Sequence, residues 1–294
     1  MKKKYSKNID LLKCIACILV IINHTSSYLL TNENYLIFYK IEFVLCRIAV
    51  PIFIMCTGYL MCMKELKGKD ILKKILKVFI PLFLLSGFIY FLQHKTIDFL
   101  FLQNFIATPI IEPFWYIYML IGLYLIMPFL NYITKNASTK EHIFLISVIL
   151  IIPALLKLFS LEFSAYWGLA IPTYSIGYYL MGSLFYKIHD QIKYAKLSGI
   201  LFFILYVIGI IFYTNDHLEL YNIDSLLLIS MSILFMNFIL GFKIKHQYKF
   251  LTLISANSLY IYLFHPLLQN KIYELSIFQN LLSFNYIIGI LFYQ

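Results

Sequence analysis

An all-α, polytopic transmembrane helical bundle of about ten spans, the last incomplete and the N-terminus cytoplasmic, is the fold class that three observations predict. Hydrophobic residues make up 62% of the 294-residue chain and charged residues 13%, against about 45–50% and 25% in a soluble domain. A water-soluble fold has no way to hide that much apolar surface. The apolar residues fall in runs of roughly 18–20 divided by short polar stretches, the length a helix needs to cross a bilayer. Closed barrels would instead alternate over strands of about ten residues.

The third observation is where the charge lies. Of 24 basic residues, 23 are Lys and one is Arg. Nineteen Lys sit in the N-terminal tail or in every second connection after it, including Lys2, Lys3, Lys4, Lys7 and Lys13, six between Lys64 and Lys77, then Lys135, Lys140, Lys187, Lys193, Lys196, Lys243, Lys245 and Lys249. Only Lys40, Lys95, Lys157 and Lys271 occupy the alternate connections. Lys excess marks cytoplasmic loops, so the N-terminus is expected inside. The formal net charge of +10 is therefore a topology signal and calls for no nucleic-acid partner. The partner it implies is the lipid bilayer.

The first span runs roughly over 11–30. Lys13, Asn23 and His24 interrupt its core and no small-x-small site follows, so it reads as a span and not as a cleavable leader. His24 stands thirteen residues after Leu11, about 20 Å along a helix rising 1.5 Å per residue, which is past the midplane towards the outer face. Asn23, Thr25, Ser26 and Ser27 surround it. The second span, roughly 44–63, carries Arg47 near its outer end, and all five Cys lie in these two spans. Cys14-x-x-Cys17 has the spacing of a redox or metal pair, but within an apolar helix Cys is a small packing residue.

The third span, roughly 75–93, has Lys73, Lys74 and Lys77 at its inner end. A spacing of four puts Lys73 and Lys77 on one helical face. They suit either the phosphates of a cytosolic ligand or anionic lipid at the inner surface. The connection over 94–114 is the longest and too short for a soluble domain, so residues 1–294 read as one membrane domain. The fourth span, roughly 115–133, opens with Trp115 and Tyr116; spans of roughly 142–160, 168–187, 197–214, 223–241 and 251–270 follow, the last containing His265. Leu281 to Gln294 has fourteen residues, fewer than the ~20 a span needs, and reads as a tenth helix cut short.

Ionisable groups at membrane depth are costly and mark functional sites. His24, Arg47, Trp115 and His265 come from four spans at similar depth in the outer half, which points to a shared cavity. A chain that uses Arg once needs the planar fork at that position, because Lys cannot bind bidentately; the bland alternative is a snorkelling charge paired with Glu42. For His24 the bland alternative is a hydrogen bond to a neighbouring helix, and for Trp115 a place in the aromatic belt.

At these residues the sequence resembles the acyltransferase-3 family of integral membrane acyltransferases. Asn8 to His24 is similar to the family's opening motif, a basic residue, ten intervening residues and a His, with Lys13 standing where Arg is usual. Arg47-Ile-Ala-Val-Pro-Ile-Phe-Ile-Met-Cys-Thr-Gly-Tyr-Leu60 resembles the second-span motif, and Phe114-Trp115 through Pro128 the fourth-span motif, with Pro113 where His is frequent. Ser258-Leu-Tyr-Ile-Tyr-Leu-Phe-His265-Pro266 is similar to the ninth-span motif. The resemblance implies a ten-span bundle and transfer of an acyl group, commonly acetyl, from cytosolic acyl-CoA to a carbohydrate or glycolipid acceptor at the outer face. No permanently bound cofactor is implied, since acyl-CoA is a donor substrate. His24 matches the family's essential His, and Lys73 to Lys77 fall where members carry a basic motif associated with the CoA end.

Acyl transfer from a thioester to an alcohol needs a positioned base, and His has a suitable pKa. The expected roles are therefore His24 and Arg47 as catalytic residues, with Arg47 stabilising the oxyanion or orienting the acceptor. Trp115, Tyr116 and His265 bind the acceptor, and Lys13, Lys73, Lys74 and Lys77 bind acyl-CoA. Asp10 lies three to four turns from His24, so no carboxylate is assigned to orient the base. Two other readings stay open: a transporter binding a carboxylate such as serine's at Arg47, and an inactive assembly partner in polysaccharide export. Bias towards Lys, Ile, Asn and Tyr points to an AT-rich bacterial genome, hence a bacterial plasma membrane.

Overall fold

The computed structural model describes residues 7–25, 36–158, 173–213, 215–244 and 248–274. Ser26, Ser27 and the apolar end Leu281–Gln294 lie outside the described residues, as does much of the segment leading into the sixth expected span. The described residues are helical, with no strand among them. In chain order the helices are α1 (Lys7–Thr25), α2 (Leu36–Cys46), α3 (Ala49–Met61), α4 (Gly68–His94), α5 (Phe99–Ala107), α6 (Trp115–Asn136), α7 (Thr139–Ile146), α8 (Ile152–Leu158), α9 (Thr173–Lys187), α10 (Ala195–Ile211), α11 (Leu226–Leu240) and α12 (Lys249–Glu274). Seven helical segments among the described residues are long and apolar enough to cross a membrane: Lys7–Thr25, Leu36–Met61, Gly68–His94, Glu112–Asn136, Thr139–Leu158, Leu218–Leu240 and Lys249–Gln269. Ala195–Ile211 is a shorter apolar helix where the seventh span was expected.

Proline accounts for the interruption of two of these segments. Leu36–Met61 breaks at Arg47–Ile48, between α2 and α3. Pro51 has no N–H to offer the carbonyl four residues back, which is Arg47's, and regular bonding resumes with Ile52 N–H donating to Ile48 O at 3.0 Å. Thr139–Leu158 contains a π turn over Ser147–Ile151 just before Pro153, a wider coil that accommodates the missing donor.

Two compact units divide the chain. One takes residues from 1–61 and 137–294, the other from 62–136. In the first, α3 and α9 lie nearly backbone to backbone. A Cβ added at Gly58 would strike the Tyr179 carbonyl, and one at Gly182 the Met55 carbonyl, so the contact exists only because both positions lack side chains, the small-residue packing typical of membrane helices. Packed along α1 is α12, tied to it by polar groups at both ends. At the N-terminal end of α1, Ser255 Oγ donates to Asp10 at 2.7 Å; further along, Gln269 Nε2 donates to Ile21 O at 3.1 Å. The Asn8 amide donates to Ile239 O at 2.5 Å and Phe242 O at 3.0 Å, capping the end of α11.

The second unit contains α4, α5 and α6. Asp98 caps α5 by accepting from Phe101 N–H at 3.0 Å, and the Tyr90 hydroxyl donates to the same carboxylate at 3.2 Å. Phe79, Phe83, Phe101 and Phe105 stack and meet edge-on between α4 and α5. Tyr118 of α6 donates to Phe105 O at 2.6 Å, closing the unit.

Candidate functional site

Two of the expected residues come together in the first unit. His24, half-buried in the last turn of α1, and His265, buried in α12, have ring centroids 5.1 Å apart. The placement of His265 follows from its neighbour in sequence. Pro266 cannot donate to the carbonyl four residues back, Tyr262, and His265 Nδ1 takes that vacant acceptor at 2.6 Å. A carbonyl only accepts, so Nδ1 carries the proton and the neutral ring's lone pair is on Nε2. That Nε2 is buried and has no hydrogen-bond partner among the described residues. Beside it, Cys17, Val20, Ile21, Phe53, Ile261 and Tyr262 line a narrow void with no room for a water molecule.

Lys13 stands eleven residues before His24, a spacing that returns to almost the same helical face. Its ammonium donates to the Ser255 carbonyl, while the Ser255 hydroxyl binds Asp10 and Thr252 Oγ1 reaches the same carboxylate at 3.4 Å. The α1–α12 seam thus carries a cation and a carboxylate at one end and two imidazoles at the other. All five Cys are buried, and among the described residues no group of His, Cys, Asp and Glu is placed to hold a metal ion.

Arg47 projects from the proline-made break between α2 and α3. Its Nε donates to Tyr221 O at 2.9 Å, and its guanidinium lies over the Phe43 ring, 5.2 Å from the centroid. The Tyr221 hydroxyl in turn donates to Gly209 O at 2.6 Å. Arg47 therefore fastens the segment before α11, which sequence spacing gave no means of foreseeing.

The remaining expected residues lie in the second unit. Trp115 and Tyr116 begin α6, Tyr116 buried and Trp115 half-buried, with rings edge-on at 6.3 Å. The three Lys of α4 separate by direction: Lys73 and Lys77 are exposed, whereas Lys74 leans over the Tyr124 ring at 5.8 Å.

Several polar groups without a part in the sequence reading also emerge. His142 of α7 is fully buried; its Nε2 lies 3.1 Å from Leu180 O and 3.0 Å from Ser183 Oγ, joining α7 to α9. Tyr59 of α3 bonds His189 Nδ1 at 2.9 Å. Lys157 and Asp224 form an ion pair at 2.8 Å next to a cavity of about 270 Å³ between α8, α10 and α11, walled by leucines with Lys157, Glu219, Ser225 and Ser230 as polar groups. A buried His at the start of an apolar run was the available signal for His142; its Ser183 partner had none.

Compared with known proteins, the chain is matched by the family model described as an acyltransferase domain over residues 6–293. No curated protein and no solved structure matches it. The match takes in both units and every motif quoted above, so the chain belongs to the acyltransferase-3 family of membrane acyltransferases.

Proposed function

We propose that the protein is a membrane O-acyltransferase moving an acyl group, acetyl foremost, from cytosolic acyl-CoA to a hydroxyl of a cell-surface glycan or glycolipid, with His24 as general base. The observation that carries this reading is the imidazole set late in an apolar helix, half-buried and beside a second imidazole, within an acyltransferase-family chain. The acceptor oxygen attacks the thioester carbonyl carbon while His24 takes the hydroxyl proton. The tetrahedral intermediate then expels CoA as its C–S bond breaks, and the proton held by His24 passes to the thiolate, which restores the neutral base. Base catalysis of this type contributes typically about 10²–10⁴-fold. Arg47 orients the acceptor or stabilises the oxyanion, held by its bond to Tyr221 and its stacking on Phe43.

Lys13, Lys73, Lys74 and Lys77 receive the phosphates of acyl-CoA, supported by the exposure of Lys73 and Lys77. Trp115 and Tyr116 bind the acceptor sugar. The leucine-walled cavity with its polar rim suits the apolar part of a glycolipid. The plasma membrane of a bacterium is the proposed location. Purified protein in lipid nanodiscs, given acetyl-labelled acetyl-CoA, is expected to release CoA thiol, and vesicles containing it are expected to take up no labelled serine above empty ones. Serine uptake with no CoA released would replace the enzyme by a transporter.

A further inference from the structure

Resting on the reading of His24 as base, we propose that His265 is the positioning partner of His24: its Nε2 lone pair accepts the N–H of the His24 ring and leaves the other His24 nitrogen to take the acceptor's proton. A base of this kind needs one nitrogen bare, which requires something to hold the proton on the other. A carboxylate usually does so in hydrolytic triads; here the ring set against His24 is an imidazole whose own tautomer is already fixed.

The fixing is written in the backbone. Pro266 frees the Tyr262 carbonyl, His265 Nδ1–H binds it at 2.6 Å, and the lone pair is thereby forced onto Nε2. That lone pair is buried without a hydrogen-bond partner among the described residues, beside a void too narrow to admit water. Among the described residues, two rings stand against His265. Tyr262, at 5.6 Å, shares its helix turn; His24, at 5.1 Å, comes from α1. Ring nitrogens project outward from their centroids, so a centroid separation of 5.1 Å puts two nitrogens that face each other within reach of a hydrogen bond. When His24 takes the proton, both its nitrogens become donors. The bond to Nε2 is then charge-assisted and shorter, so His265 favours the transition state over the ground state.

The test measures CoA release from acetyl-CoA, with water as acceptor, by purified full-length protein in nanodiscs. His265→Leu keeps the volume without a lone pair, and His265→Gln restores an acceptor oxygen near the Nε2 position. His265→Leu is expected to lower kcat by 10-fold or more with KM for acetyl-CoA unchanged, and His265→Gln to recover most of the loss. Tyr262→Phe, which leaves the carbonyl in place, is expected to match the parent. Equal activity in Leu and parent, equal impairment in Leu and Gln, or a loss in Tyr262→Phe as large as in Leu each overturns the partnership. His24→Ala is run alongside: if it turns over like the parent, it is the base assignment that fails, whatever His265 does.

Discussion

A guanidinium at the break between two helices shows how one residue can carry architecture and chemistry together. Arg47 was marked out by its singularity in a Lys-rich chain, and the structure gives it a task that Lys cannot perform, donating through Nε while the planar group lies over Phe43. Its target, the Tyr221 carbonyl, is 174 residues away, a distance that local pattern does not encode. Pro51 is another matter. The proline four residues after Arg47 explains the backbone discontinuity there, which the reading of 44–63 as one unbroken span did not include. Arg47→Lys is expected to cost about 1.5–3 kcal/mol, the range for hydrogen bonds to charged groups, read as a lowered thermal unfolding midpoint in detergent. An unchanged midpoint would show that the Tyr221 contact contributes no stability.

Among the elements, legibility tracked hydropathy. Spans expected from apolar runs and Lys-bearing loops each coincide with helix in the described residues, though the second, expected from about 44, begins at Leu36 and is built from α2 and α3, as the fifth is from α7 and α8. What apolar runs do not specify is which helix lies against which, because every face of such a helix is apolar. The α3–α9 contact depends on Gly58 and Gly182, one of them inside the second-span motif, and neither drew notice in the sequence. Gly182→Ala and Gly122→Ala make a controlled pair. Both remove a helical glycine, but a Cβ at Gly182 meets the Met55 carbonyl whereas at Gly122 it meets nothing. Gly122→Ala is expected to be neutral or stabilising by roughly 0.5–1 kcal/mol. Gly182→Ala is expected to destabilise by about 1–3 kcal/mol through overpacking against backbone. Equal midpoints for the two, measured by thermal denaturation in the same detergent, would mean that α3 and α9 are not so close.

For the whole molecule, composition alone separated membrane from soluble, and four ordered motifs led to the family that the 6–293 match establishes. The site was legible in part. His24 and His265 were both singled out, and the proline arithmetic that orients His265 can be done on the sequence; that the two rings meet could not, since α1 and α12 lie at opposite ends of the chain. The reaction proposed asks one imidazole to serve a donor arriving from the cytosol and an acceptor at the outer face. The most direct measurement compares CoA thiol release from acetyl-CoA by the parent and by His24→Ala, both purified in nanodiscs and matched for thermal midpoint. A fall of about 10²-fold or more is the predicted result; a folded His24→Ala protein that turns over at the parent rate would contradict it.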